Sequence, residues 1–247
     1  MAVPNKHAEE IVLSTHDVDL AERWTLGGIM RAMQLVSDRH ATLLGVGKDH
    51  ILPQGLYWVI ARMRIDMHSY PRYGDAVTVK TWPGKPERVA FPRYFRFEDK
   101  DGVVGTASIL YMLLSAETHR FVPPSKTEVY PKDMQIHPET NPMPDKIRFT
   151  EANRGTVYRK PSYSDIDLNR HMNNTRYGQW ICDLFPTSKF ESQVIKTCQI
   201  NFIADGVEGH LIALNLQEKD NSFAVQGADT DNGGKTVFEC FGEWMDA

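Results

Sequence analysis

The chain has 247 residues, of which 41% are hydrophobic and 24% charged, a balance typical of a globular protein with one or two domains. A net charge of −4 argues against a broad basic surface for nucleic acid, and no apolar run reaches the roughly 18 residues of a membrane-spanning helix. Three widely spaced cysteines, Cys182, Cys198 and Cys240, exclude a disulfide scaffold and a cysteine zinc site. Because residues 1–6 carry no signal or transit pattern, the sequence predicts a cytoplasmic protein.

The first half contains strand patterns and one helix pattern. Apolar residues and one histidine recur at three- and four-residue steps between Leu26 and Leu44, which predicts an amphipathic helix. The stripe consists of Leu26, Ile29, Met30, Met33, Val36 and His40. Alternating or β-rich segments predict strands over residues 62–67, 75–82, 91–98 and 103–115, and Asp101-Gly102 indicates a hairpin turn between the last two.

The second half has a similar order of elements. A shorter helix is predicted over residues 174–184, followed by strands over 194–203, 211–216, 223–228 and 236–244. In the first of these strands the alternation predicts that one face carries Val194, Lys196, Cys198, Ile200 and Phe202. A strong turn signal, Asp-Asn-Gly-Gly at residues 231–234, precedes the last strand.

Two short segments suggest that the halves are copies of one domain. Residues 17–20 (Asp-Val-Asp-Leu) nearly match residues 165–168 (Asp-Ile-Asp-Leu), and each segment precedes a predicted helix. Between the halves, six prolines from Pro123 to Pro144 exclude a helix or a central strand. We therefore expect an N-terminal domain at residues 1–122, a proline-rich linker at 123–150 and a C-terminal domain at 151–247.

The densest polar cluster lies just before the second helix. Asp167, Asn169 and His171 alternate along an extended lead-in, so they could face one cleft as carboxylate, amide and imidazole. The competing interpretation is capping, since Asp, Asn and Ser before a helix satisfy its free N–H groups without any catalysis. In the first copy Ala21 and Arg23 replace the asparagine and the histidine, as in a duplicated enzyme with one surviving site.

The segment Asp-Leu-Asn-Arg-His-Met-Asn-Asn-Thr-Arg-Tyr at residues 167–177 resembles the signature of the acyl-acyl carrier protein (acyl-ACP) thioesterases. Blocks similar to that family follow the same order in the first half, at residues 56–62, 70–75 and 81–83. The resemblance implies an α+β fold of two tandem hotdog domains, in each of which a curved antiparallel sheet wraps a long helix. It also implies that the second domain carries out catalysis. Because the first domain lacks the asparagine and the histidine but has a long helix rich in Met and Leu, we expect it to hold the acyl tail.

The resemblance further implies the catalytic residues. They are Asp167, Asn169 and His171, with a fourth carboxylate at Asp205, where most members have glutamate. Glu208 is the rival for that fourth position if the alignment slips. Plant members carry a cysteine beside the glutamate, and here that position is Gly206. No cofactor and no metal are expected.

The implied activity is hydrolysis of fatty acyl thioesters on ACP, which releases free fatty acid and ends chain elongation. The alternatives are an acyl-coenzyme A thioesterase, a non-catalytic acyl-thioester binding module and, more remotely, a hotdog dehydratase. The expected partner is acyl-ACP, with neither nucleic acid nor a membrane span, and a homodimer is left open. A locally basic stretch is either a solvated loop or a docking surface for the acidic carrier. It contains Lys146, Arg148, Arg154, Arg159 and Lys160.

Overall fold

A computed structural model describes residues 5–127, 129–131 and 134–247. The helices are α1 (Leu26–Leu43), α2 (Lys48–Ile51), α3 (Asn174–Cys182) and α4 (Thr187–Ser192). The strands are β1 (His7–Val12), β2 (Leu56–Met67), β3 (Ala76–Pro83), β4 (Phe91–Asp99), β5 (Gly102–Ser115), β6 (Val157–Arg159), β7 (Gln193–Phe202), β8 (Ile212–Lys219), β9 (Ser222–Asp229) and β10 (Lys235–Asp246). No helix in the described part of the chain is long and apolar enough to cross a membrane.

The chain divides into two compact units. The first contains Met1–Trp24 and Arg31–Pro144, and the second contains Thr25–Met30 and Asp145–Ala247. Residues 128, 132 and 133 of the expected linker lie outside the described residues. From Met134 to Pro144 the chain forms neither helix nor strand, as the prolines predicted.

The first unit has an antiparallel sheet with the strand order β1-β3-β4-β5-β2. All four predicted strands are confirmed, and β2 extends its predicted segment back to Leu56. The β4–β5 hairpin closes at the pair Asp99 and Gly102. The Asp99 carboxylate accepts the backbone N–H of Asp101 at 2.8 Å, which stabilises the predicted turn.

Helix α1 confirms the amphipathic helix that was predicted from the three- and four-residue spacing. All six residues of the predicted stripe are buried, including His40, because α1 presents that stripe to the interior. In the first unit, residues 134–144 are attached through side chains that bond backbone oxygens. The indole of Trp82 donates to the oxygen of Glu139 at 2.7 Å, and the Asn141 amide donates to Phe95 and Ala107 at 2.7 and 3.0 Å.

The second unit has the strand order β7-β10-β9-β8-β6, again antiparallel. The predicted 231–234 turn is confirmed, with Gly233 and Gly234 at φ of 64° and 76°, where glycine carries no steric penalty. The predicted single face of β7 is wrong at one residue. Lys196 is exposed while its neighbours Ile195 and Thr197 are buried, because the pairing with β10 shifts at this point and skips Lys196, which leaves it as a β-bulge.

Helix α3 ends at Cys182, two residues before the predicted end, and α4 after Pro186 was not predicted. The edge strand β6 has only three residues, too few for a periodic pattern. These differences leave the start of α3 where the sequence placed it.

Candidate active site

Asp167, Asn169 and His171 lie on a tight loop that directly precedes α3. Ile166 and Met172 pair as an isolated β-bridge, and the N–H of Asn173 donates to the oxygen of Asp165 at 2.8 Å. The helix cap is Asn173, whose side-chain oxygen accepts the N–H of Thr175 at 2.9 Å. Capping of α3 is therefore carried out by a residue outside the predicted trio.

Within the loop, Asp167 holds the backbone in shape. Its side-chain oxygen accepts the N–H of Asn169 at 2.7 Å, and its own N–H donates to the oxygen of His171 at 2.9 Å. Arg170 adopts the left-handed region at φ 64°, which a tight reversal requires. The structure thus gives Asp167 the local bonding role that the capping interpretation anticipated, at the loop rather than at the helix.

The first copy builds the same loop from different side chains. The Asp19 carboxylate accepts the N–H of Ala21 at 2.8 Å, its N–H donates to Arg23 at 2.9 Å, and Glu22 adopts φ 63°. The shared aspartate therefore maintains a shared backbone. What differs is the side chains at two positions. The first copy has Ala21 and Arg23, of which Arg23 is buried beside Asp19, whereas the second has the exposed Asn169 and His171.

The structure brings His171 and Asp205 together. The imidazole Nδ1 lies 3.6 Å from the Asp205 carboxylate oxygen, within ion-pair range and beyond a hydrogen bond. The His171 side chain is 50% exposed and that of Asp205 is 67% exposed, so both can meet a substrate from solvent. Glu208, the rival carboxylate, is also exposed and lies just before Gly209, which adopts φ 81°.

A break at the end of β7 turns Asp205 towards this loop. Ile203 and Ala204 both donate their N–H to the oxygen of Val237, at 2.8 and 3.0 Å, so regular alternation stops there. The first copy has the same break, since His68 and Ser69 both donate to Val104. By this correspondence Tyr70 takes the place of Asp205 in the first copy.

Asn169 is positioned by its backbone. In the described part of the chain, the hydrogen bond found for this residue is the one from its N–H to Asp167, and its side chain is exposed. Two of the four predicted residues, His171 and Asp205, thus form a pair, Asp167 shapes the loop, and Asn169 presents its amide to solvent.

Tyr177 is a site residue that sequence reasoning missed. Its phenol oxygen accepts the N–H of Gly206 at 3.2 Å, and the side chain is almost fully buried. Burial raises the pKa of Tyr177 well above its usual value, the Gly206 bond opposes that rise, and the nearby Asp205 and Asp167 carboxylates add to it. The phenol is therefore neutral beneath the two carboxylates. Its presence in the 167–177 motif was the available signal.

Two of the three cysteines lie in the core of the second unit, and Cys182 is partly exposed. Cys198 and Cys240 are 1% and 0% exposed, with their sulfurs 3.8 Å apart. Burial raises the pKa of the Cys240 thiol, which disfavours the thiolate that a nucleophile needs. Among the described residues, no cluster of three or more His, Cys, Asp or Glu could hold a metal ion.

The basic stretch is partly neutralised by carboxylates of its own unit. Arg154 pairs with Glu218 at 2.9 Å, and Arg159 pairs with Asp183 at 2.8 Å. Lys160 is exposed and lines an open cavity beside Arg159. The stretch is therefore less positive than its sequence suggests.

Comparisons with known proteins cover nearly the whole chain. The family model described as the acyl-ACP thioesterase N-terminal domain matches residues 4–130, and the corresponding C-terminal domain model matches residues 150–246. Oleoyl-acyl carrier protein thioesterase 2 of Arabidopsis thaliana, a chloroplastic protein, is 23% identical over 93% of this chain. The match covers 68% of that relative, so the chain spans about two thirds of its length.

Two solved structures have the same fold. An acyl-ACP thioesterase from Bacteroides thetaiotaomicron superposes with a TM-score of 0.88 at 24% identity, covering 98% of both chains. The 12:0-ACP thioesterase from Umbellularia californica gives 0.84 at 21% identity, covering 99% of this chain and 98% of the other. The expected α+β fold with tandem hotdog domains is thereby confirmed.

Proposed function

The chain belongs to the acyl-ACP thioesterase family, and we propose that it hydrolyses fatty acyl thioesters carried by ACP, releasing the free fatty acid. The match of both halves to that family carries this conclusion, since it covers the tail-holding and the catalytic halves together. A hydrolysis assay tests it, with one acyl chain offered on ACP and on coenzyme A. Faster turnover on ACP is expected, and equal or faster turnover of the coenzyme A ester would favour the alternative substrate.

The proposed site consists of Asp167, Asn169, His171 and Asp205. His171 takes a proton from a water molecule whose oxygen attacks the thioester carbonyl carbon. The Asn169 amide, exposed on the same loop, donates to the oxyanion that forms. The carbon–sulfur bond then breaks, and the leaving thiolate takes the proton from His171. Asp205, 3.6 Å from the imidazole, stabilises the imidazolium in between.

The rival chemistry uses Asp205 as a nucleophile that forms an acyl anhydride, which water then cleaves. In a single turnover in ¹⁸O-water, label found in the protein would demonstrate the anhydride route, whereas label in the fatty acid is expected both from direct attack and from anhydride cleavage at the acyl carbonyl. Cleavage of an anhydride at the Asp205 carbonyl would leave the label in the protein instead.

The roles of the domains are also part of the proposal. Residues 1–122 take the acyl tail, residues 123–150 join the domains, and residues 151–247 carry out hydrolysis. The observation that supports this division is the duplicated loop, because only the second copy presents an asparagine, a histidine and an aspartate.

We place this activity in the cytoplasm, as buried free thiols such as Cys198 and Cys240 suit a reducing compartment. A homodimer is the proposed assembly. Light scattering of the purified protein decides the assembly, and fractionation of the source cells decides the location.

A further inference from the structure

An open cavity of about 380 Å³ lies in the second unit, beside the loop that carries the proposed site. Its polar walls come from Arg159, Lys160, Ser162, Asp165, Gln179 and Asp183. None of these side chains has a part in the proposed hydrolysis. The cavity is therefore a separate feature of the surface, with its own charge balance.

Among the charged side chains that line the cavity, both carboxylates pair with arginines and one lysine does not pair with a carboxylate of the described chain. Asp183 pairs with Arg159 at 2.8 Å. The Asp165 carboxylate accepts the Ser162 N–H and hydroxyl at 3.0 and 3.2 Å and lies 3.9 Å from the Arg176 guanidinium. Each carboxylate is thus matched by an arginine. In the described chain no carboxylate lies within ion-pair distance of Lys160, so the cavity keeps one positive charge for a ligand.

A neutral hydrogen-bond donor, the Gln179 amide, lines the same cavity as Lys160. The Gln179 oxygen accepts from Arg176 at 2.8 Å, which leaves the amide NH₂ of Gln179 as the group that can donate to a ligand. A cation together with neutral donors is the arrangement that recognises a phosphate oxygen.

Backbone hydrogen bonds connect this cavity to the proposed catalytic histidine. The oxygen of Asp165 accepts the N–H of Asn173 at 2.8 Å, and Asn173 is two residues after His171. Two residues span at most about 7 Å, which places the Asp165 wall within roughly 12 Å of the His171 backbone. A ligand that binds in the cavity and reaches His171 at the same time must have an anionic end and a long neutral arm.

We propose that this cavity binds the phosphodiester of the phosphopantetheine arm on which ACP carries the acyl group, with Lys160 as its cation. This assignment rests on the proposed function. From phosphorus to sulfur the arm has as many backbone bonds as about four residues, which extend roughly 14 Å. An arm of this length spans the roughly 12 Å between the Asp165 wall of the cavity and the His171 backbone, and Lys160 lines the same cavity.

The test uses one acyl chain on three carriers: ACP, phosphopantetheine and pantetheine without phosphate. The measured quantity is the ratio of kcat/KM for acyl-phosphopantetheine to that for acyl-pantetheine. The wild-type ratio should exceed one, and Lys160→Met should lower it roughly fivefold, because an ion pair between an exposed lysine and the phosphate, which contributes up to about 1 kcal/mol, is lost. Lys235→Met, which removes an exposed lysine that does not line the cavity, should keep the wild-type ratio.

An unchanged ratio in Lys160→Met would overturn the assignment. So would a loss confined to acyl-ACP, because Lys160 would then contact the carrier protein rather than the phosphate. Failure of the proposed function is visible in the wild type alone, as absence of hydrolysis on all three carriers.

Discussion

The phenol oxygen of Tyr177 accepts the backbone N–H of Gly206 at 3.2 Å, while the oxygen of Gly206 accepts the N–H of Met172 at 3.1 Å. Gly206 is thus bonded on both sides, once by α3 and once by the residue after His171. Because Asp205 directly precedes Gly206, these two bonds fix the distance between the proposed base and its carboxylate partner.

Removal of the Tyr177 hydroxyl should lower both the rate of catalysis and the stability of the fold. Tyr177→Phe keeps the edge-on ring contacts with Phe202 and Phe238 but leaves the Gly206 N–H unpaired, at a cost of about 1–3 kcal/mol. We expect kcat to fall about tenfold because Asp205 loses its fixed position. Steady-state kinetics and thermal unfolding measure the two effects. Tyr158→Phe, at an exposed tyrosine of the same unit, is the matched control.

A second variant tests the same two hydrogen bonds by changing Gly206, the residue whose backbone makes both of them. A Cβ at Gly206 would lie 2.9 Å from the Tyr177 oxygen and 3.0 Å from the Met172 Cβ, so Gly206→Ala must displace one of them. It should reproduce the kcat loss of Tyr177→Phe. If both variants retain wild-type kcat, the two hydrogen bonds at Gly206 have no part in positioning Asp205.

The sequence predicted regular elements well where a period repeats over several turns or residues. The α1 stripe is confirmed at every position because one face of a long helix is buried. The prediction for Lys196 is wrong because a β-bulge at this residue interrupts the alternation on which the prediction relied. The four-residue α2 and three-residue β6 are too short to show any period.

For the candidate site, the sequence predicted that Asp167, Asn169 and His171 alternate along an extended lead-in. The extended conformation is wrong, because the segment folds into a tight loop closed by the Asp167 N–H bond to the His171 oxygen, and Asp205 came only from the family resemblance. Thirty-four positions separate it from His171, and no local rule predicts that a strand break brings the two within 3.6 Å. Tyr177 was missed because a periodic pattern marks its ring as core and says nothing of the partner of its hydroxyl.

Loss of the loop side chains should reduce activity while the fold persists. His171→Ala should lower kcat by about 10²–10⁴-fold as a lost acid–base group, and Asn169→Ala by about 10²–10³-fold as a lost oxyanion donor. Both side chains are exposed, so melting temperatures should stay near wild type. Full activity per folded molecule in both site variants would make the loop purely structural.

Enlargement of the first helix should shift product length if α1 borders the acyl tail. Met33 is fully buried, and Met33→Phe fills space with less overpacking than tryptophan would. We expect shorter fatty acids in the product mixture, measured by gas chromatography on a mixed acyl-ACP pool. Leu35→Phe, on the exposed side of α1, should leave the profile unchanged. A folded Met33→Phe protein with the wild-type profile would place the tail elsewhere.

Replacement of all three cysteines by alanine or serine should retain most activity, because Cys198 and Cys240 lie in the core away from solvent. Some loss of stability is expected from the two buried positions. Activity must therefore be normalised to folded protein by circular dichroism. The opposite result, inactivation by an alkylating reagent that Cys198→Ala reproduces, would indicate a thiol nucleophile.

The fourth catalytic position is decided by comparing two carboxylates three residues apart, Asp205 and Glu208, which are both exposed. Asp205→Asn should lower kcat at least about tenfold, because the charge 3.6 Å from His171 is lost. Asp205→Glu should be the mildest change, since the carboxylate is kept and an exposed side chain has room for one more methylene. Glu208→Gln is the matched control and should be nearly silent. A silent Asp205→Asn combined with a damaging Glu208→Gln would transfer the role to Glu208, and the pair at His171 would then be a surface contact alone.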